Sequence, residues 1–215
     1  MSVAQKKDDT LVTADNHALI LIDHQYLQLL SVRSHSVQEV VSNTVITGRA
    51  AKIFGVPMLF TTAFADRQEL IKDVQSIDPD QTPIDRTGLN SWDDQRVLDW
   101  VKATGKTKLV MAGLWTEVCL AMPVLSALAE GYEVYIVTDA SGGASAEAHE
   151  RAVQRMVQAG ARPITAQSYI SELQRDWKYD KTAEDVVNLV VEMGTTSGHG
   201  LSWVWQLAGL KKGTR

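Results

Sequence analysis

Three side chains of this sequence could do covalent chemistry together: Cys119, Asp23 and Arg86. Cys119 is the single cysteine of the chain, so no disulfide can form within it, which fits a reducing compartment. It stands shortly after the apolar run KLVMA (108–112) and Gly113, at the start of a helix-like segment. The first turn of a helix offers free backbone N–H groups and the positive end of the dipole, which favour a thiolate and could hold a developing oxyanion. The plainer reading of a lone cysteine is a small buried hydrophobe. Asp23 closes the run ALILI (18–22), and a carboxylate at the end of a buried strand must be solvated, paired or functional. It could take the thiol proton and later manage protons on a leaving group, or simply cap a turn. Arg86 lies in IDRTGLNSWDD; a fixed cation near the other two would favour both ionised forms, and otherwise it is a solvated loop arginine.

The elements that must position these groups alternate along the chain. ALILI (18–22), VPMLFTT (56–62), KLVMA (108–112), EVYIVT (133–138) and a short run at 162–165 read as strands, the first as one buried on both faces. Helices are expected over 37–54, closed by Gly55; 92–103, capped by Ser91; 119–130, closed by Gly131; 145–159, closed by Gly160; and 183–193. Strands separated by helices of roughly 10 to 20 residues call for parallel crossovers and a three-layer α/β sheet. Ligands of such sheets sit beyond the carboxyl ends of the strands. That rule selects Asp23, His24 and Gln25, then Thr62 and Phe64, then the stretch 113–119, then 139–143. Residues 64–91 form a long polar connection, which has a job or carries small elements of its own. Residues 1–14 read as a loose polar arm, and the tail after Gly194 carries Trp203 and Trp205, which need cover from a neighbouring subunit or from their own domain.

Composition narrows the classes further. The chain has 215 residues, 45% apolar and 22% charged, which suits one globular domain with a large core. A net charge of −5 without a basic block argues against nucleic acid. No apolar stretch is long enough for a membrane span, and the N-terminus lacks a secretory pattern, so the expectation is a cytoplasmic protein. There is no GxGxxG, no Walker loop and no GxSxG; DASGGAS after the fourth run is common turn material. The five histidines show no metal-ligand spacing, so neither metal nor cofactor is expected.

ALILIDHQ, AGLWTEVC and VTDASGG followed by AVQRMVQAGARPIT together resemble the isochorismatase-like cysteine hydrolase superfamily, and RTGLNSWDD and ELQRDW resemble its YcaC-related branch. The resemblance covers about residues 15–180 and leaves 181–215 as a C-terminal helix and tail, expected in oligomer contacts. It implies a six-stranded parallel Rossmann-like sheet and an Asp–Lys–Cys triad that cleaves a C–N bond of an amide-like substrate through a thioester. Asp23 matches the acid and Cys119 the nucleophile. A cis peptide bond is implied between Leu114 and Trp115, turning the Trp115 N–H, with that of Cys119, toward an oxyanion. No lysine lies between Lys72 and Lys102, so Arg86 is the nearest match to the triad lysine. TTAFADRQEL after the second strand lacks the histidines of nicotinamidase-like metal sites. The vinyl-ether-cleaving isochorismatases lack the cysteine, so Cys119 argues against that reaction. The branch also implies a homo-oligomer, octamers among them.

The reading that results is a metal-free cysteine hydrolase of a small C–N substrate. Cys119 attacks, Asp23 acts as base and then acid, Arg86 supplies charge, and Phe64, Asn90, Trp92, Trp115 and Glu117 wall the pocket. The rival reading is a ligand-binding or oligomeric protein that has lost turnover, because arginine cannot release a proton and has a wider fork than lysine. A redox sensor is a third reading, weakened by the lack of a second cysteine.

Overall fold

The computed structural model describes residues 10–209. Six strands, β1 (His17–Ile22), β2 (Met58–Ala63), β3 (Ile84–Arg86), β4 (Lys108–Gly113), β5 (Glu133–Val137) and β6 (Arg162–Ile164), pair in parallel in the order β3-β2-β1-β4-β5-β6. Strand order therefore reverses between β1 and β4, the crevice where such sheets bind ligands. The helices are α1 (Tyr26–Leu30), α2 (Val37–Ile53), α3 (Lys72–Gln75), α4 (Gln95–Thr104), α5 (Ala121–Ala129), α6 (Ala146–Gln158), α7 (Ala166–Gln174), α8 (Asp180–Glu192) and α9 (Thr196–Leu207). No described helix is long and apolar enough to cross a membrane.

Alternation along the strands builds the three layers. Leu19, Leu21, Val110, Ala112, Tyr135 and Val137 pack on one side with residues of α2, α7 and α8. Ala18, Ile20, Ile22, Leu109, Met111, Val134 and Ile136 pack on the other with α4, α5 and α6. Both faces are thus buried, which is why the strands read as unbroken apolar runs. Gly113 is required where β4 meets β1, because a Cβ there would lie 2.9 Å from the Ile22 Cβ.

Several boundaries differ from the sequence reading. The long connection holds α3 and the three-residue β3, whose IDR carries no apolar run. Ser91 does not cap a long helix: Ser91–Asp93 is a short 3-10 turn, and Asp94 caps α4 by accepting from the Arg96 N–H at 2.9 Å. α7 was not expected at all. The tail forms α9, in which Trp205 is buried and Trp203 is 63% exposed. Of the arm expected over 1–14, residues 1–9 lie outside the described residues. Val12 is fully buried and donates its N–H to Glu172 at 2.7 Å, so the described end of that arm is packed.

Candidate active site

The site is assembled from the ends of β1, β3 and β4. Asp23 follows β1 in a left-handed conformation (φ 55°), which aspartate tolerates better than most residues. Its carboxylate is wholly buried and meets Arg86, the last residue of β3, in a two-pronged ion pair. Nη1 donates to Oδ1 and Nη2 to Oδ2, both at 2.9 Å. Nη1 also donates to the Thr62 carbonyl at 3.0 Å, so the guanidinium reaches across β2 to the central strand. The planar fork matches the two carboxylate oxygens, a geometry a lysine cannot make.

Cys119 is 4% exposed and packs with Ile22, Trp92 and Leu120. It sits in a π-helical turn, Thr116–Leu120, ahead of α5, rather than in the first turn of a regular helix running from 119. The peptide bond between Leu114 and Trp115 is cis, as the family resemblance implied. The charge of Arg86, and after it the Trp115 backbone N–H, favour the thiolate. Burial opposes them most strongly, followed by the charge of Asp23 and its side-chain hydrogen bond to the thiol; together these push the Cys119 thiol up to about 12. The resting group is a thiol, which corrects the expectation of an ionised sulfur at a helix mouth. The dipole of one short turn does not offset a dry site beside a carboxylate.

The structure brings Asp23, Arg86 and Cys119 together; the expected walls differ in what they touch. Trp92 is in the core, its ring against Tyr132 and its indole N–H on Glu130 at 2.9 Å, so it is not an open wall. Asn90 accepts from the Trp92 N–H at 3.1 Å, donates to Ser126 of α5 at 3.2 Å, and lines an open cavity together with Arg86. Glu117 turns away to the start of α6, where it accepts from the Ala144 N–H at 2.9 Å. Phe64 is half-buried, also left-handed (φ 55°), with the Arg67 guanidinium 5.5 Å over its ring. The half-buried Trp115 donates its indole N–H to the Gln28 carbonyl at 3.1 Å.

Two supporting groups were missed by the sequence reading. Thr61 donates to Asp23 Oδ1 at 3.0 Å. His149 Nδ1 meets the Thr116 hydroxyl at 2.8 Å and so braces the turn that carries Cys119. A hydroxyl two residues before the end of β2 was the available signal for Thr61; nothing local marked His149. Gln25 was named only by position. Its amide accepts from the Ala63 N–H at 2.8 Å and donates to the Ala63 carbonyl at 3.0 Å, continuing the β1–β2 pairing in side-chain form.

A carboxylate held by a guanidinium lies beside a buried thiol, at the strand-order switch of a parallel sheet. Known proteins place the chain in a family. Residues 17–168 match the isochorismatase domain. The chain is 40% identical over 166 residues to the probable hydrolase YcaC of Escherichia coli K12, covering 76% of this chain and 80% of that one. YcaC from Pseudomonas aeruginosa, solved with hexane-2,5-diol and covalent acrylamide, aligns with a TM-score of 0.85 and 33% identity over 92% of this chain and 98% of that one. The Escherichia coli YcaC structure, reported as an octameric hydrolase of unknown specificity, aligns with a TM-score of 0.86 and 33% identity over 94% and 100%. This chain belongs to the isochorismatase family, in its YcaC-related branch.

Proposed function

We propose that the protein is a cysteine hydrolase that cleaves a C–N bond of a small amide-like substrate. The observation that carries the reading is the buried Cys119 thiol beside a carboxylate that Arg86 holds with both prongs. With the thiol raised to about 12, free thiolate is scarce at neutral pH, so the proton passes to Asp23 as the sulfur bonds to the substrate carbonyl carbon. The negative charge that develops on the carbonyl oxygen is met by the backbone N–H groups of Trp115 and Cys119. Collapse of that intermediate breaks the C–N bond, with Asp23 returning the proton to the departing nitrogen. Water, deprotonated by Asp23, then attacks the thioester and releases the acid and the thiol.

Arg86 does not move a proton in this scheme. It orients a buried carboxylate through both oxygens, a task for which a fixed cation suffices. Acrylamide is an electrophile, and its covalent attachment to the Pseudomonas aeruginosa relative supports a nucleophile in this branch. The octameric relative supports a homo-oligomer, with the exposed face of α9 as a contact, and the single reduced cysteine suits the cytoplasm. Phe64 and Trp115, both half-buried at strand ends, are the side chains proposed to meet substrate.

A screen of small amides, carbamates and imides tests this function, with intact mass following acyl adducts. Turnover and the adduct must both vanish in Cys119→Ala. Turnover that persists in that variant overturns the reading. A protein that binds panel members without turning any over favours the ligand-binding alternative, which the raised thiol motivates.

A further inference from the structure

Asp23 is held by more than its ion pair. Its backbone N–H donates to the Thr61 carbonyl at 3.0 Å, and its Oδ1 accepts from the Thr61 hydroxyl at 3.0 Å. Thr61 is fully buried and lies in register with Ile22, so its hydroxyl has no water to turn to. The two carboxylate oxygens are not equivalent. Oδ1 receives Thr61 and Arg86 Nη1, whereas Oδ2 receives Arg86 Nη2. A carboxylate oxygen offers about two lone-pair sites. Oδ1 is therefore filled, and Oδ2 keeps a site open.

We infer that Thr61 is a positioning residue for the cysteine chemistry: by filling Oδ1 it makes Oδ2 the oxygen that takes the Cys119 proton. The inference rests on the reading of Asp23 as the base. It adds a choice between the two oxygens, which the ion pair alone leaves symmetric. The same choice fixes which edge of the carboxylate later faces the leaving nitrogen and the attacking water.

Thr61→Val removes the donor while keeping a β-branched side chain of similar shape, and Thr61→Ser keeps the donor. Two readouts follow the series: the infrared carboxylate band of Asp23, isolated by difference against Asp23→Asn, and the pH profile of kcat/KM on a substrate from the amide panel. In the valine variant the band shifts and the pH profile of kcat/KM departs from that of wild type, the effect of losing one hydrogen bond to a charged oxygen. The serine variant restores both. Should the valine variant fail to fold, Thr61→Ala removes the same donor with a smaller side chain. An Asp23 band in the donorless variants that coincides with wild type overturns the inference. A band that shifts and recovers in a protein that turns over nothing upholds the role of Thr61 on the carboxylate and counts against the hydrolase reading instead.

Discussion

The two edges of the sheet handle buried polar groups in opposite ways. At the amino edge, His17 Nδ1 meets the Thr13 carbonyl at 2.6 Å and its Nε2 meets the Tyr169 hydroxyl at 2.8 Å. Beside it, Arg162 bonds Glu133 and Tyr135, the Tyr135 hydroxyl donates to the Thr10 carbonyl, and Lys108 lies 6.0 Å over the Tyr135 ring. At the carboxyl edge, Asp23 and Arg86 are paired, yet valences stay open. Among the described residues, the buried side-chain polar atoms without a partner are His24 Nδ1, Gln28 Oε1, Arg86 Nε and Glu117 Oε2, and all four lie at or beyond the carboxyl ends of strands. Asp23 and Phe64, in left-handed backbone, stand at the same edge. Backbone strain does not divide the edges, since Arg175 (φ 51°) bonds the Val12 carbonyl at the amino edge; the polar pairing does, and a closed polar set stabilises.

Acid is expected to have the largest effect on both edges together. Burial above all lowers His17 and His24 from 6.5 to about 4. The unfolded chain then binds more protons than the folded one, so stability is full above about pH 6.5 and falls as pH drops toward 4. The loss is on the order of several kcal/mol, read as a falling urea midpoint. His17→Gln should flatten part of that decline without altering Cys119 alkylation, which separates the amino edge from the site.

Substitution divides the edges further. Arg86→Ala leaves the buried Asp23 unpaired and should cost about 3–5 kcal/mol in urea unfolding, with loss of turnover. Tyr169→Phe leaves His17 Nε2 without its partner and should cost about 1–3 kcal/mol, with kcat/KM unchanged. Ser36→Ala breaks the capping box of α2, in which Ser36 and Glu39 bond each other's backbone N–H groups, at about 1 kcal/mol and no effect on either edge. Should Tyr169→Phe impair turnover as much as Arg86→Ala, the contrast between the edges fails.

Legibility in the sequence followed the same division. The central strands and the helices closed by Gly55, Gly131 and Gly160 were readable, because apolar runs and left-handed glycines (φ 67°, 90° and 114°) are local signals. Asp23 and Cys119 were readable because they punctuate those runs. β3 was invisible: three residues, one of them Arg86, owe their strand form to pairing with Thr61, Thr62 and Ala63. The state of the sulfur was misread for the same reason. Position in a turn suggests a thiolate, while burial and the charge of Asp23 come from distant segments and dominate. Trp92 and Asn90 were assigned to the pocket by position alone, and their hydrogen bonds to Glu130 and Ser126 depend on α5 packing nearby.

The central claim is that the charge on Asp23 acts directly on the sulfur of Cys119. The most direct test compares iodoacetamide alkylation of wild type and Asp23→Asn across pH 7 to 11. Wild type should show no plateau near neutrality and a rate still rising past pH 10. At pH 9 alkylation runs through the free thiolate, so removing the charge while Arg86 remains should lower the thiol and speed alkylation there by about tenfold or more, even as turnover, which needs Asp23 as the base, is lost. An alkylation rate unchanged or slowed by Asp23→Asn would contradict the account.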